Sequence, residues 1–197
     1  DAIIATGSDN SARYFEYYFK NKPNIIRKNR TSVAILTGKE TEEELVSLAS
    51  DVFSYYGLGC RNVSKIYHSS DFKLPDLLKN FESFNEIVNH NKYRNNYDYN
   101  KSNLLVNGVD HLDYGFLLLQ ESKNLVSPIS VLFTEPFEDH EGCIKKIESN
   151  KDKIQCIVGN AEIKKAFEET LNFGEAQQPN VWDYADGGDT LAFLQKL

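Results

Sequence analysis

Gly57-Leu58-Gly59-Cys60-Arg61-Asn62-Val63-Ser64-Lys65-Ile66-Tyr67 carries the chain out of an amphipathic helix, through a glycine-flanked turn that presents one thiol, and into a strand-like run from Val63 to Tyr67. Glycine reaches backbone conformations that a Cβ forbids, so this flank can hold Cys60 at an opening and let a substrate come close. The thiol alone leaves two readings open. Free cysteine is among the most buried side chains and packs as a small hydrophobe, or it serves as a nucleophile. A packing cysteine needs no glycine flank, and the flank favours the nucleophile.

Working back from Gly57, Leu45, Leu48, Ala49, Val52, Phe53 and Tyr56 recur at helical spacing behind a Thr41/Glu44 capping box, which predicts a helix from Thr41 to Tyr56. Glu42 to Glu44 read as its solvated first turn, favoured by the helix dipole. Ile25-Ile26 and Ser32 to Leu36 read as buried strand segments. The chain opens on a strand-like run, Asp1 to Ala5, then Thr6-Gly7-Ser8, with Asp9-Asn10-Ser11 offering caps to a helix that bears Tyr14, Phe15, Tyr17, Tyr18 and Phe19. Strand, glycine turn and helix N-terminus form a geometry that receives phosphate or a dinucleotide, although the same turn joins strand to helix in many proteins that bind nothing.

Working forward, a helix is expected over Asp71 to Val88, with Pro75 in its first turn and Leu74, Leu77, Leu78, Phe81, Phe84 and Val88 on one face. Asn89 to Asn103, rich in Asn and Tyr, reads as an exposed helical or irregular excursion. Beyond the Asn107-Gly108 turn, strands are expected over Tyr114 to Gln120, Ile129 to Phe133 and Lys153 to Val158. Helices are expected over Asp139 to Glu148, Ala161 to Leu171 and Thr190 to Leu197. The alternation predicts an α/β fold with a largely parallel sheet flanked by helices.

At 197 residues the chain can bury one sizeable core. Its formal charge of -7 argues against nucleic acid and anionic lipid as partners. No apolar run is long enough to span a bilayer. Cys60, Cys143 and Cys156 are odd in number and widely spaced, which fits a reducing, cytoplasmic setting better than a disulfide scaffold. There the sequons at Asn29, Asn62 and Asn100 carry no meaning, and the scattered His68, His90, His111 and His140 do not predict a metal site. Cys143 and Cys156, on an expected helix and strand, read as packing residues. The chain contains no methionine, which suggests a piece of a longer protein.

Taken together, the Thr-Gly-Ser turn, the Ser-Val-Ala-Ile-Leu strand, the capped helix and G-L-G-C-R-N-V-S-K-I-Y resemble the second half of the aldehyde dehydrogenase superfamily. More narrowly they resemble the bacterial fatty acyl-CoA reductases related to the luminescence reductase subunit. The tail, F-G-E-A-Q-Q-P-N-V-W-D-Y-A-D-G-G-D-T-L-A-F-L from Phe173, is similar to that group's C-terminal end and is the most specific match.

The resemblance implies that residues 1–22 end a dinucleotide-binding domain, 23–172 form the catalytic domain and 173–197 the C-terminal tail. It implies that Cys60 attacks the carbonyl of an acyl-CoA, leaving an acyl-enzyme that NADPH or NADH reduces to an aldehyde. Gly7 and Ser8 would lie at the cofactor, and Glu121 would match a glutamate that holds the nicotinamide ribose, though the spacing to Pro128 is longer here. The backbone N–H of Cys60 would be one oxyanion donor. A homo-oligomer is implied, with room for an acyl-transfer or synthetase partner. Family members that hydrolyse the acyl-enzyme carry a glutamate base where this chain reads Asn24 to Arg30 without a carboxylate. That departure disfavours water as the acyl acceptor. The alternatives are a CoA-acylating dehydrogenase working oxidatively and a non-catalytic assembly domain.

Overall fold

Two units make up the computed structural model of the chain, which describes residues 1–184 and 188–197: residues 1–30 with 178–197, and residues 31–177. In the first, β1 (Ile3–Thr6) leads through Gly7 into α1 (Asp9–Phe19), which returns the chain to β2 (Asn24–Arg27), parallel to β1. Because β2 pairs with β1, it belongs to this unit, and the unit ends at Arg30 where the family pattern implies a boundary at 22. The α1 cap is Ser8, whose Oγ accepts from Ser11 N, one residue ahead of the expected Asp9-Asn10-Ser11.

The second unit is built on a six-stranded sheet. β3 (Thr31–Leu36) is buried at every residue, as a central strand covered on both faces must be. The chain continues through α2 (Glu42–Phe53), β4 (Val63–Ser69), α3 (Leu74–Asn80) and α4 (Asn91–Val106). Then come β5 (Leu112–Asp113), β6 (Leu118–Glu121), β7 (Val131–Phe137), α5 (His140–Glu148), β8 (Ile154–Gly159) and α6 (Ala161–Ala166). The strand order is β5-β6-β7-β4-β3-β8, parallel throughout except for the antiparallel edge strand β5. This is the expected α/β architecture. Ala34, Leu36, Ile66 and Leu132 pack one face against Leu48, Ala49 and Val52 of α2 and Leu77 and Leu78 of α3. Val33, Ile35, Tyr67 and Ile157 pack the other against Cys143 and Ile147 of α5 and Ile163 of α6.

Several elements depart from the sequence expectation. α2 carries the expected Thr41/Glu44 box but stops at Phe53, not Tyr56; Tyr55, Tyr56 and Gly57 then run left-handed, at φ 52°, 60° and 73°. Glycine takes that conformation freely, whereas each tyrosine carries roughly 1–2 kcal/mol of strain. The helix over Asp71 to Val88 breaks at Phe81 into α3 and a 3-10 segment, Glu82–Asn89. α6 ends at Ala166 because Leu171 turns back to bridge Val158 beside β8. The Asn/Tyr stretch forms α4 and is not wholly exposed. Tyr93, Tyr97, Asn100 and Leu104, spaced as one helix face, are buried, and Tyr97 and Leu104 pack on Leu118, Val131 and Phe133. The chain closes in α7 (Thr190–Gln195), capped by Asp189.

Candidate active site

Cys60 sits at the first central position of a tight turn, in which Asn62 N donates to Gly59 O at 3.0 Å. Asn62 builds that turn. Its Oδ1 accepts from Gly59 N at 2.8 Å, and its Nδ2 donates to the carbonyls of Asp51, Val52 and Ser54 at 3.0, 3.3 and 2.8 Å. The carbonyls of Asp51 and Val52 are those another turn of α2 would have engaged, which is the physical reason that the helix stops at Phe53. Ser32 of β3 fixes the turn from the other side, donating to Cys60 O at 3.0 Å and accepting from Cys156 N at 3.1 Å.

The Cys60 side chain is exposed, while Cys143 and Cys156 are buried. Burial, and then repulsion from Glu135, pushes the Cys143 thiol up to about 12, and burial also raises Cys156. Both are held in the unreactive thiol form. Among the described residues the backbone N–H groups of Cys60 and Arg61 make no hydrogen bond, so two adjacent donors stay free beside the exposed sulfur.

A clip ties α2 and the Cys60 turn to the returning chain. Asp51, fully buried on α2, accepts from Gly174 N at 2.7 Å and Ala176 N at 3.0 Å, and Arg61 Nε donates to Ala176 O. Residues 173–177 therefore belong to this unit. Burial raises the Asp51 carboxyl to about 6, outweighing its two amide partners, and Glu175 adds repulsion. The folded chain thus holds this proton more tightly than the unfolded chain, and the Asp51 contribution to stability falls as pH rises from about 4 to about 6, by up to about 3 kcal/mol. Denaturant melts of the parent and Asp51→Asn across that window should differ by this slope. Equal slopes would show that the carboxyl is not its source.

Lys65, on β4 five residues after Cys60, is wholly buried. Its Nζ pairs with Glu135 and donates to Ser122 O at 2.6 Å and Asn124 O at 3.1 Å, and Lys146 pairs with the other Glu135 oxygen. Burial lowers the Lys65 pKa. Desolvation would raise Glu135, but hydrogen bonds from Lys146 and Lys65 hold it below the usual carboxylate range. The Glu135–Lys146 end opens on a cavity of about 270 Å³ that Tyr67 and Cys143 also line.

Glu121 is exposed at the C-terminal end of β6. It is level with Thr134 and hence with Ile66, whereas Cys60 precedes the first residue of β4. Val63 to Ile66 alone spans about 10 Å at ~3.3 Å per residue. The structure therefore does not bring Glu121 beside Cys60. In the first unit Gly7 is a requirement of packing: a Cβ there would lie 2.8 Å from Ser11 Cβ. Ser8 opens α1, giving the expected strand, glycine and helix N-terminus. Of the expected tail motif, 185–187 lie outside the described residues.

The histidines do not converge. His90 caps α4 and stacks on Tyr56 at 4.0 Å between ring centroids, and His68 is buried in β4. Among the described residues there is no group of His, Cys, Asp and Glu able to hold a metal ion, and no helix long and apolar enough to cross a membrane.

This fold is that of the aldehyde dehydrogenases. KauB, an aldehyde dehydrogenase from Pseudomonas aeruginosa, is 13% identical and aligns over 87% of this chain and 43% of its own with a TM-score of 0.63. The NAD-dependent aldehyde dehydrogenase of Sinorhizobium meliloti is 10% identical over 86% and 41%, with a TM-score of 0.63. The P. syringae indole-3-acetaldehyde dehydrogenase AldA, solved with NAD+ and IAA, is 14% identical over 82% and 41%, with a TM-score of 0.61. The chain spans less than half the length of these structures. No protein-family model matches the chain, and no curated protein matches it in sequence.

Proposed function

We propose that the chain is the thiol-bearing portion of an acyl-CoA reductase, in which Cys60 takes an acyl group from a fatty acyl-CoA and yields it as an aldehyde. The observation that carries this reading is the Cys60 turn: an exposed sulfur beside the two free N–H groups of Cys60 and Arg61, on a fold shared with aldehyde dehydrogenases. The Cys60 thiolate adds to the thioester carbonyl, and the negative charge that develops on oxygen is received by N–H groups of the turn. Collapse of the adduct breaks the bond to the CoA sulfur, which leaves as thiolate and takes a proton. NADPH or NADH, when bound, supplies the hydride that makes the acyl carbon an aldehyde. Cys60 then departs as thiolate, ready for another turnover.

The strand–glycine–helix turn at Gly7 and Ser8 supports a site for the phosphates of such a nucleotide, since it presents the N-terminus of α1, where backbone N–H groups and the helix dipole favour an anion. No carboxylate stands in Asn24 to Arg30 to activate water, and this supports CoA and hydride over hydrolysis as the exchange partners. The test is the intact mass of the protein after incubation with a long-chain acyl-CoA and no nicotinamide. The mass is expected to rise by one acyl group, mapped to the peptide bearing Cys60; no adduct at any chain length would overturn the reading. Because Glu121 lies away from Cys60, Glu121→Gln is expected to change the rate of adduct formation less than about twofold. A tenfold loss would place Glu121 in the acyl-transfer step itself.

A further inference from the structure

We infer that Asn62 is a positioning residue for acyl transfer: by occupying the last carbonyls of α2, it keeps the N–H groups of Cys60 and Arg61 free for the oxyanion. The inference rests on the reading of Cys60 as the acyl acceptor. Helix C-termini leave carbonyl oxygens without intrahelical partners and carry partial negative charge. α2 ends directly against the Cys60 turn, so its carbonyls of Asp51 and Val52, and that of Ser54 just beyond it, need donors there. Asn62 joins those carbonyls to the turn through Gly59 N; with that amide gone, capture of the turn N–H groups by the carbonyls would close the oxyanion position and set negative oxygens behind it. The Asn62 amide prevents this with one buried group. Its nitrogen serves the three carbonyls, its oxygen holds Gly59 N, and the residue is 3% exposed.

The donor half of the amide is the part that matters. Asp at this position would still accept from Gly59 N but would present oxygen to oxygen, and Ala would leave both sides unpaired. The charged groups around the turn, Arg61 on it and Asp51 and Glu175 in the clip, remain in both variants.

The experiment compares two reactions of Cys60 in the parent, Asn62→Ala and Asn62→Asp. Transfer of acetyl from p-nitrophenyl acetate, followed as a nitrophenolate burst and by intact mass, passes through an oxyanion; alkylation by iodoacetamide does not. In both variants acetyl transfer is expected to fall about 100-fold, the scale of losing an oxyanion donor. Alkylation of Cys60 should stay within about threefold, with Cys143 and Cys156 still slow. Parallel loss of both reactions, unchanged acetyl transfer, or recovery in Asn62→Asp would overturn the inference, and so would a parent that gives no burst. A parent that is acetylated by the ester yet forms no adduct with acyl-CoA overturns the CoA reading and leaves the role of Asn62 standing.

Discussion

Cys60→Ala is expected to abolish the acyl adduct completely and to leave the unfolding transition within about 0.5 kcal/mol of the parent, as exposed substitutions usually do. The two halves of that expectation come from the same feature. The sulfur is exposed on a turn held by backbone and by Asn62 and Ser32, none of which engages the Cys60 side chain, so its removal opens no cavity. Cys156→Ala should behave in the opposite way. That thiol is buried on β8, and truncating it leaves a small void expected to destabilise the fold by about 1–2 kcal/mol while the adduct forms as before. Cys143→Ala, buried between α5 and the sheet, belongs with Cys156. Intact mass and chemical denaturation of the three variants decide the matter: an adduct surviving in Cys60→Ala, or lost in Cys156→Ala with the fold intact, would move the nucleophile elsewhere.

The architecture was legible because periodicity reports burial. Ser32 to Leu36 reads as a buried strand, and the Thr41/Glu44 box marks the start of α2 within a residue. Cys60 was legible through its glycines. What organises it was not, because those interactions join residues far apart in sequence. Asn62 reads as a chance sequon until the chain folds and three carbonyls at the end of α2, those of Asp51, Val52 and the capping Ser54, meet it. Asp51 occupies a polar slot in an otherwise amphipathic helix, and only the return of Phe173 to Ala176 shows why a carboxylate is buried there. Helix ends fail for a related reason. Tyr56 continues the apolar spacing of α2, but tertiary capture of the Asp51 and Val52 carbonyls outweighs local propensity. For the Asn/Tyr stretch the error was one of burial: tyrosines at helical spacing pack their rings, and Tyr93 donates its hydroxyl to Phe116 O at 2.9 Å.

Glu135→Ala is expected to destabilise the second unit by about 3–5 kcal/mol, the range for removing one partner of a buried ion pair, which for a domain of this size lowers the melting temperature by about 10 °C. Lys65 has no exposed surface, and its ammonium meets Glu135, the carbonyls of Ser122 and Asn124, and the face of the Tyr67 ring at 4.9 Å, so the loss of the carboxylate leaves a buried charge without a carboxylate counter-ion. Lys146, which is partly exposed, can turn to water; Lys65 cannot. The pair also secures a neighbouring crossover. Lys65 and Ser64, whose Oγ donates to Leu125 O at 3.0 Å, hold the crossover between β6 and β7 onto β4. The far end of that crossover, Ser127 to Ser130, lines a small cavity together with Gly57 and Val63, which flank the Cys60 turn in sequence. Glu135→Gln keeps one acceptor for Lys65 and should lie between the parent and Glu135→Ala. The paired change Lys65→Met with Glu135→Leu should recover part of the loss but not all, because the carbonyls of Ser122 and Asn124 then lack their donor. If Glu135→Ala melts within about 2 °C of the parent, the pair is not what secures the crossover. If it melts lower and the double variant is lower still, Lys65 acts as a donor to the two carbonyls more than as a charge.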